Sequence, residues 1–255
     1  MNKLILLIIT GLLMAQAGHA QEYKTKLNGK DRKIVIEMQG SDVTVEGIDG
    51  DELVIKGDGF QEPPKRAEGL HSIYNTAVDN TKIGLSVTQQ DNTVRIVRAS
   101  RKEANYVIRV PRSSAVRYNQ AGWNSGDLVV RDVNGDLELS VKSGDIKLTN
   151  VAGPVVANTV SGDIQVRFST LGQKPSSIST VSGDVDVSMP TNTKATLKLR
   201  SVSGEVYTDF DMNVGKDPSN MRHIGGQVVD GSINGGGTSV SLKTVSGDIY
   251  VRKAK

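Results

Sequence analysis

Through the second half of the chain, apolar and polar residues alternate in short runs that restart at a regular distance. Aligning these runs on the acidic residue that precedes each one brings out the order. One position after the acid stand Leu128, Ile146, Ile164, Val185, Val206 and Ile249, and three positions after it Val130, Leu148, Val166, Val187, Thr208 and Val251. Between them lie Val129, Lys147, Gln165, Asp186, Tyr207 and Tyr250. Period-two alternation predicts a short strand with one face turned inward. A second strand precedes each acid. Six positions before it come Leu139, Ala157, Ile178, Leu199 and Leu242, and eight before it Leu137, Val155, Ser176, Leu197 and Val240. Five before it, on the opposite face, are Ser140, Asn158, Ser179, Arg200 and Lys243.

The acid belongs to a recurring corner. It reads Ser125-Gly126-Asp127, Ser143-Gly144-Asp145, Ser161-Gly162-Asp163, Ser182-Gly183-Asp184, Ser203-Gly204-Glu205 and Ser246-Gly247-Asp248, at intervals of 18, 18, 21, 21 and 43 residues. A fixed period of this size marks stacked supersecondary units. Gly126, Gly135, Gly144, Gly153 and Gly162 fall at nine-residue steps, where corners call for φ > 0 and no Cβ. A single coil cannot hold itself together. Burying an apolar side chain returns about 1.5–3 kcal/mol, while ordering each residue costs about 1–2 kcal/mol. Stacking, with each strand bonded to its equivalent one coil away, reverses that balance. The expected fold is all-β: a single-stranded parallel β-helix, or β-solenoid, with coils of about 18–21 residues.

Residues 113–255 form the regular part of this reading. Its 43-residue gap predicts a further coil at Gly225-Gly226-Gln227-Val228, preceded by a loop insertion over 211–223, and Gly231–Gly237 reads as a wide corner. Trp123 stands four before the first acid, where later units carry Val141, Thr159, Thr180, Ser201 and Thr244. A bulky side chain in a column of small ones predicts a plug for the first regular coil. Residues 21–112 are strand-rich but irregular, with a loop over 58–82, and are expected to form the first coils or a cap against edge pairing.

Residues 1–20 read as a cleaved signal peptide. Lys3 is followed by an apolar run over Leu4–Leu13 and a small-x-small site at Gly18-His19-Ala20. That run is shorter than the roughly 20 residues a membrane span needs, and no later segment approaches that length. The expected product is exported, periplasmic or at the cell surface, without a membrane span. The chain has no cysteine, which excludes disulfides, a thiol nucleophile and Cys-based metal sites. Of 31 basic and 28 acidic residues, the leader removes one basic, so the balance argues against a nucleic-acid partner.

The pattern resembles a bacterial family of exported β-strand-repeat proteins labelled adhesins (DUF4097-like). The resemblance rests on Ile108-Arg109-Val110-Pro111, on the Ser-Gly-Asp units from 125 to 164, on Gly231-Ser232-Ile233-Asn234-Gly235-Gly236-Gly237, and on the ending Thr244-Val245-Ser246-Gly247-Asp248-Ile249. It covers roughly residues 30 to 253, and departs from the family pattern at Trp123, Asn124 and Gln227. It implies a parallel β-helix and a cell-envelope setting, and brings no catalytic residues.

Candidate chemistry is sparse. The column Asp127, Asp145, Asp163, Asp184, Glu205 and Asp248 invites a calcium reading, because exported β-rolls bind Ca²⁺ at nonapeptide repeats. Adjacent Gly and Asp, with alternate corners mostly not acidic, argue instead for turn residues that accept backbone N–H bonds. A polysaccharide-cleaving site needs carboxylates around a cleft, and here they run single file. His71 and His223 sit in expected loops without partners. Tyr207 and Tyr250 share an outward column, with Val229 or its neighbour expected between them, and are the candidate surface contacts. Lys and Arg are spread over outward positions. The expectation is a non-enzymatic envelope or surface module presenting its repeated face to a protein or glycan, with no cofactor, metal site or catalytic residue. A self-associating structural or stress-sensing component is the alternative, and a polysaccharide-active enzyme the third.

Overall fold

A computed structural model describes residues 21–27, 32–61, 64–67, 69–70, 77–102, 104–124, 126–214 and 227–254. The leader, Ser125, His71, His223, Gly225 and Gly226 lie outside them. The irregular half contains β1 (Gln21–Lys26), β2 (Lys33–Met38), β3 (Val43–Ile48), β4 (Glu52–Asp58), β5 (Leu85–Gln90), β6 (Thr93–Arg98) and β7 (Asn105–Pro111). There follow β8 (Ala115–Gln120), β9 (Leu128–Arg131), β10 (Leu137–Ser140), β11 (Ile146–Val151), β12 (Val155–Ser161), β13 (Ile164–Phe168), β14 (Ser176–Ser182) and β15 (Val185–Met189). The chain closes with β16 (Ala195–Ser203), β17 (Val206–Thr208), β18 (Met212–Val214), β19 (Gln227–Ile233), β20 (Thr238–Ser246) and β21 (Ile249–Lys253).

The described strands make a ten-stranded sheet, β1-β4-β7-β3-β9-β11-β13-β15-β21-β17, and an eleven-stranded sheet, β18-β19-β16-β20-β14-β12-β10-β8-β2-β6-β5. Each coil takes one strand from each sheet, and all neighbours in the body pair in parallel. Like residues stack on like: Ile146 pairs with Ile164 and Ile164 with Val185, while Leu137 pairs with Val155. These inward side chains are buried from both sheets into one continuous core. The fold is the β-solenoid that the repeat implies.

The order of the coils differs from the order of the sequence. Along the stack they run β6/β7, β2/β3, β8/β9, β10/β11, β12/β13, β14/β15, β20/β21 and β16/β17. The last coil of the chain is thus inserted between the two that precede it. The cause is a reversal where a further coil was expected. Gln227 and Val228 belong to β19, which runs antiparallel to β16 on its outer side. The expected wide corner is a tight turn, with Asn234, Gly235 and Gly236 at φ of 50°, 86° and 81°. It crosses the start of β16, so that Ile233 and Thr238 both pair with Ala195 from opposite sides. Met212–Val214, inside the expected loop insertion, form β18 against β19.

The other pole repeats the device. The turn at Asp49-Gly50-Asp51 joins β3 to β4, and β7 lies between them, parallel to one and antiparallel to the other. Two sequence neighbours embracing a third strand form a ψ-loop, and one stands at each pole. Antiparallel β1 and β5 complete the near pole. Within the expected loop 58–82, Asp79 accepts the N–H groups of Thr81, Lys82 and Gly84. The following Ile83 is fully buried, and its carbonyl accepts the Tyr106 hydroxyl at 3.0 Å.

Candidate functional site

The Ser-Gly-Asp corners line up along one long edge of the solenoid. On that edge each Asp backbone N–H donates to the carboxylate Oδ1 of the Asp one coil earlier. The series runs Asp127 to Asp42 (3.0 Å), Asp145 to Asp127 (2.9 Å), Asp163 to Asp145 (2.8 Å), Asp184 to Asp163 (2.8 Å), Asp248 to Asp184 (2.8 Å) and Glu205 to Asp248 (2.8 Å). At the near pole the Asp42 N–H donates to the Asn105 side-chain oxygen at 3.2 Å. The column is therefore a ladder of charge-assisted bonds that fixes the coil spacing. It also reveals a unit hidden in the irregular half, Gly40-Ser41-Asp42-Val43. The first regular coil has a neighbour below it, and Trp123 is no plug: it is 68 % exposed, with the Lys142 ammonium 5.6 Å from its ring centroid. Its expected inward place is taken by Gln120, which is 1 % exposed. The Gln120 amide oxygen accepts the Lys142 and Ser143 N–H groups, and its nitrogen donates to the Ser143 carbonyl.

A second, internal ladder reinforces the corners. The hydroxyls of Thr159, Thr180, Thr244 and Ser201, four before the acid, donate to the glycine carbonyls of neighbouring coils. Glycine is required at the corner by close approach. A Cβ on Gly162 would stand 2.2 Å from the Gly144 carbonyl oxygen, and one on Gly153 2.1 Å from that of Gly135. The expected positive φ holds at Gly144 (132°) and Gly162 (140°) but not at Gly126, Gly135 or Gly153, where contact alone excludes a side chain.

Two rows flank this acidic crest. On one side, three before the acid, Val160, Val181, Val245 and Val202 project outward in stack order, each 41–47 % exposed. The sequence announces this row in its repeated Thr-Val-Ser-Gly, which an inward-looking alignment passes over. On the other side, two after the acid, run Lys147, Gln165, Asp186, Tyr250 and Tyr207, in direct register. Between crest and column lies a shallow groove of about 340 Å³ bordered by Asp145, Asp163, Asp184, Lys147, Gln165 and Tyr250.

Tyr207 and Tyr250 are direct neighbours, with ring centroids 5.3 Å apart and planes 13° from parallel. Val229 does not separate them: it pairs with Leu199 in the opposite sheet. The Arg252 guanidinium lies 4.8 Å from the Tyr250 ring centroid and bonds both Asp186 carboxylate oxygens at 3.1 and 3.0 Å. The Tyr250 hydroxyl donates to Asp248 Oδ2 at 3.0 Å, and this bond to a carboxylate raises the phenol's pKa. The edge thus offers, side by side, an apolar row, fixed carboxylates, and a mixed polar and aromatic column. Such a surface can hold an extended ligand by stacking and hydrogen bonds. Among the described residues no group of three or more His, Asp or Glu converges in a way that could hold a metal ion. Among them, too, no helix is long and apolar enough to cross a membrane.

Curated proteins give no match to this chain. Among solved structures it is similar to a "putative cell adhesion protein" from Clostridium sporogenes, at 10 % identity and a TM-score of 0.46, covering 91 % of this chain and 99 % of that one. It is also similar to a "putative adhesin" from Bacteroides fragilis, at 14 % identity and 0.36, covering 91 % and 96 %. A third, from Parabacteroides distasonis, stands at 13 % and 0.31, covering 93 % and 98 %. A family model matches residues 32–252, from the start of β2 into β21, and by it the chain belongs to the Toastrack family, DUF4097.

Proposed function

We propose that this protein is a non-enzymatic interaction module, exported to the periplasm or the cell surface, that offers its Ser-Gly-Asp edge to an envelope protein or glycan. The observation that carries this reading is the outward row Val160, Val181, Val245 and Val202. Core-type side chains at successive coils on a wet surface have no structural task there, and a contiguous apolar strip rimmed by polar groups is what a partner surface looks like. The stacked Tyr207 and Tyr250, rigid and amphipathic, supply the anchor beside it. A non-catalytic role is supported by the crest itself, whose carboxylates are committed to the backbone of the neighbouring coil. The names of the similar structures, cell adhesion protein and adhesin, agree with a surface setting.

The test is capture of envelope proteins and glycans by the purified chain. Val181→Lys/Val245→Lys and Tyr207→Ala/Tyr250→Ala variants serve as paired controls, each checked for unchanged unfolding. The partner bound by the parent chain is expected to be lost at least tenfold with either pair. Equal capture by all three proteins refutes the edge as the binding surface.

A further inference from the structure

The out-of-order coil creates a site that the surface reading does not use. Two coils consecutive in sequence, β14/β15 and β16/β17, are not neighbours in space, since β20 and β21 lie between them in both sheets. The slot between them is about two strand spacings wide, or about 9.6 Å. Its walls are complete before the occupant is reached along the chain, and the bond that closes it joins residues 64 apart, Asp248 N–H to Asp184 Oδ1.

The slot recognises its occupant on both sides. Toward β14/β15, the Gly183 N–H donates to the Ser246 carbonyl at 2.9 Å, and the Thr244 hydroxyl to the Gly183 carbonyl at 2.9 Å. Toward β16/β17, the Gly247 N–H donates to the Ser203 carbonyl at 3.1 Å, and the Ser201 hydroxyl to the Gly247 carbonyl at 2.9 Å. Val240, Leu242, Ile249 and Val251 are fully buried between the walls. The occupant is joined to the preceding chain by one turn, Asn234-Gly235-Gly236-Gly237, where a Cβ on Gly235 would meet nothing within 4 Å. Extended, those four residues give a lead of about 14 Å.

We propose that this slot is a strand-acceptor site for the Thr238–Lys253 coil of a second copy of this chain, so that copies associate by exchanging their last coils. The occupant's chemistry is the same whether it arrives from its own chain or from another, and every bond named above forms equally in either case. Exchange of an identical element between protomers needs no new interface, only an opened hinge. The glycine-rich turn supplies that hinge. The partner is thus defined by the slot: a coil reading Thr-Val-Ser-Gly-Asp-Ile with glycine at its corner, because a Cβ on Gly247 would stand 2.1 Å from the Gly183 carbonyl oxygen.

The absence of cysteine makes the test clean. Ser177 and Ser241 pair across the slot on the outer face, at a separation that neighbouring strands share with disulfides. Ser177→Cys and Ser241→Cys chains, unfolded together, refolded at high concentration and oxidised, are expected to give a covalent heterodimer. Its yield should fall at least tenfold when the Ser241→Cys chain also carries Gly247→Val. A Ser177→Cys/Ser241→Cys chain that links only within itself, with no heterodimer from the mixture, overturns the proposal. A second readout avoids crosslinking altogether. The full chain, cut at a protease site placed in the 234–237 turn, should take up a fluorescent peptide of residues 238–254 in place of its own coil. No uptake, even after joint unfolding and refolding with excess peptide, overturns it equally.

Discussion

Replacing Gly162 by alanine separates the two reasons for a corner glycine. The new Cβ would stand 2.2 Å from the Gly144 carbonyl oxygen and 2.6 Å from its carbon, with φ at 140°. Relief requires the two coils to part by about 1 Å at this seam, since unbonded heavy atoms rest at about 3.5 Å or more. The bonds nearest the clash include three strong ones: Gly144 N–H to the Ser161 carbonyl (3.0 Å), Asp163 N–H to Asp145 Oδ1 (2.8 Å) and Ile146 N–H to the Asp163 carbonyl (2.9 Å). At about 1 kcal/mol net each, their loss costs about 3 kcal/mol. The backbone conformation adds about 1–3 kcal/mol. The expected destabilisation is about 4–6 kcal/mol, a large share of the 5–15 kcal/mol typical of a domain. Two companions divide the sum. Gly50→Ala keeps a positive φ of 109° with nothing within 4 Å, and should lose only the backbone part. Gly153→Ala meets the Gly135 carbonyl oxygen at 2.1 Å without a left-handed φ, and should lose only the seam part. Denaturant unfolding followed by far-ultraviolet circular dichroism gives all three values. If Gly162→Ala costs no more than Gly50→Ala, or Gly153→Ala costs under about 1 kcal/mol, close approach is not what selects glycine.

Other expectations follow from the ladders and the buried phenols. Asp163→Ala strips the Asp184 N–H of its acceptor and should cost about 1–3 kcal/mol, while Asp163→Asn keeps an oxygen there and should recover most of it. Equal losses in the two variants would dismiss the ladder. Thr180→Val removes the hydroxyl bonded to the Gly162 carbonyl at 3.1 Å, with an expected loss of about 1 kcal/mol in unfolding free energy, read as a lower denaturant midpoint. Tyr106 is pushed up to about 12 by burial, from an ordinary value of 10.0. The folded chain therefore holds this proton where the unfolded chain has lost it. Its contribution is level below pH 10 and lost as pH rises from 10 toward 12. Tyr106→Phe should flatten that part of the alkaline decline in midpoint, and an unchanged decline would place its cause elsewhere.

Periodicity exposed the columns and left their order hidden. Ile146, Ile164 and Val185 pile up as the alternation implies, because each coil's own residues decide which face turns inward. Which coil lies next to which is decided by connections, and the 43-residue gap reads equally as a spare coil or a reversal. The reversal wins because Asn234, Gly235 and Gly236 are all left-handed. Gly40-Ser41-Asp42 is hidden in the sequence for a related reason: its successor in the ladder, Asp127, stands 85 residues away, so no fixed interval points to it. The tyrosine pair was visible as two outward residues, but their contact follows from the swapped coil order, which no local pattern encodes. The valine row Val160, Val181, Val202 and Val245 stands in the sequence with each valine at a fixed place before its acid, but alternation alone does not tell an exposed valine from a buried one.

Each pole of this molecule is buckled by a strand clasped between two others, β7 at one end and β16 at the other. Neither clasped strand can be released by itself, since freeing it means undoing partners on both flanks at once. The same buckles restrict how the rod can lengthen over generations. A duplicated stretch of 18 or 21 residues fits only in the uninterrupted run between Leu128 and Met189. Relatives that differ in length should therefore vary in their middle, with both clasps preserved.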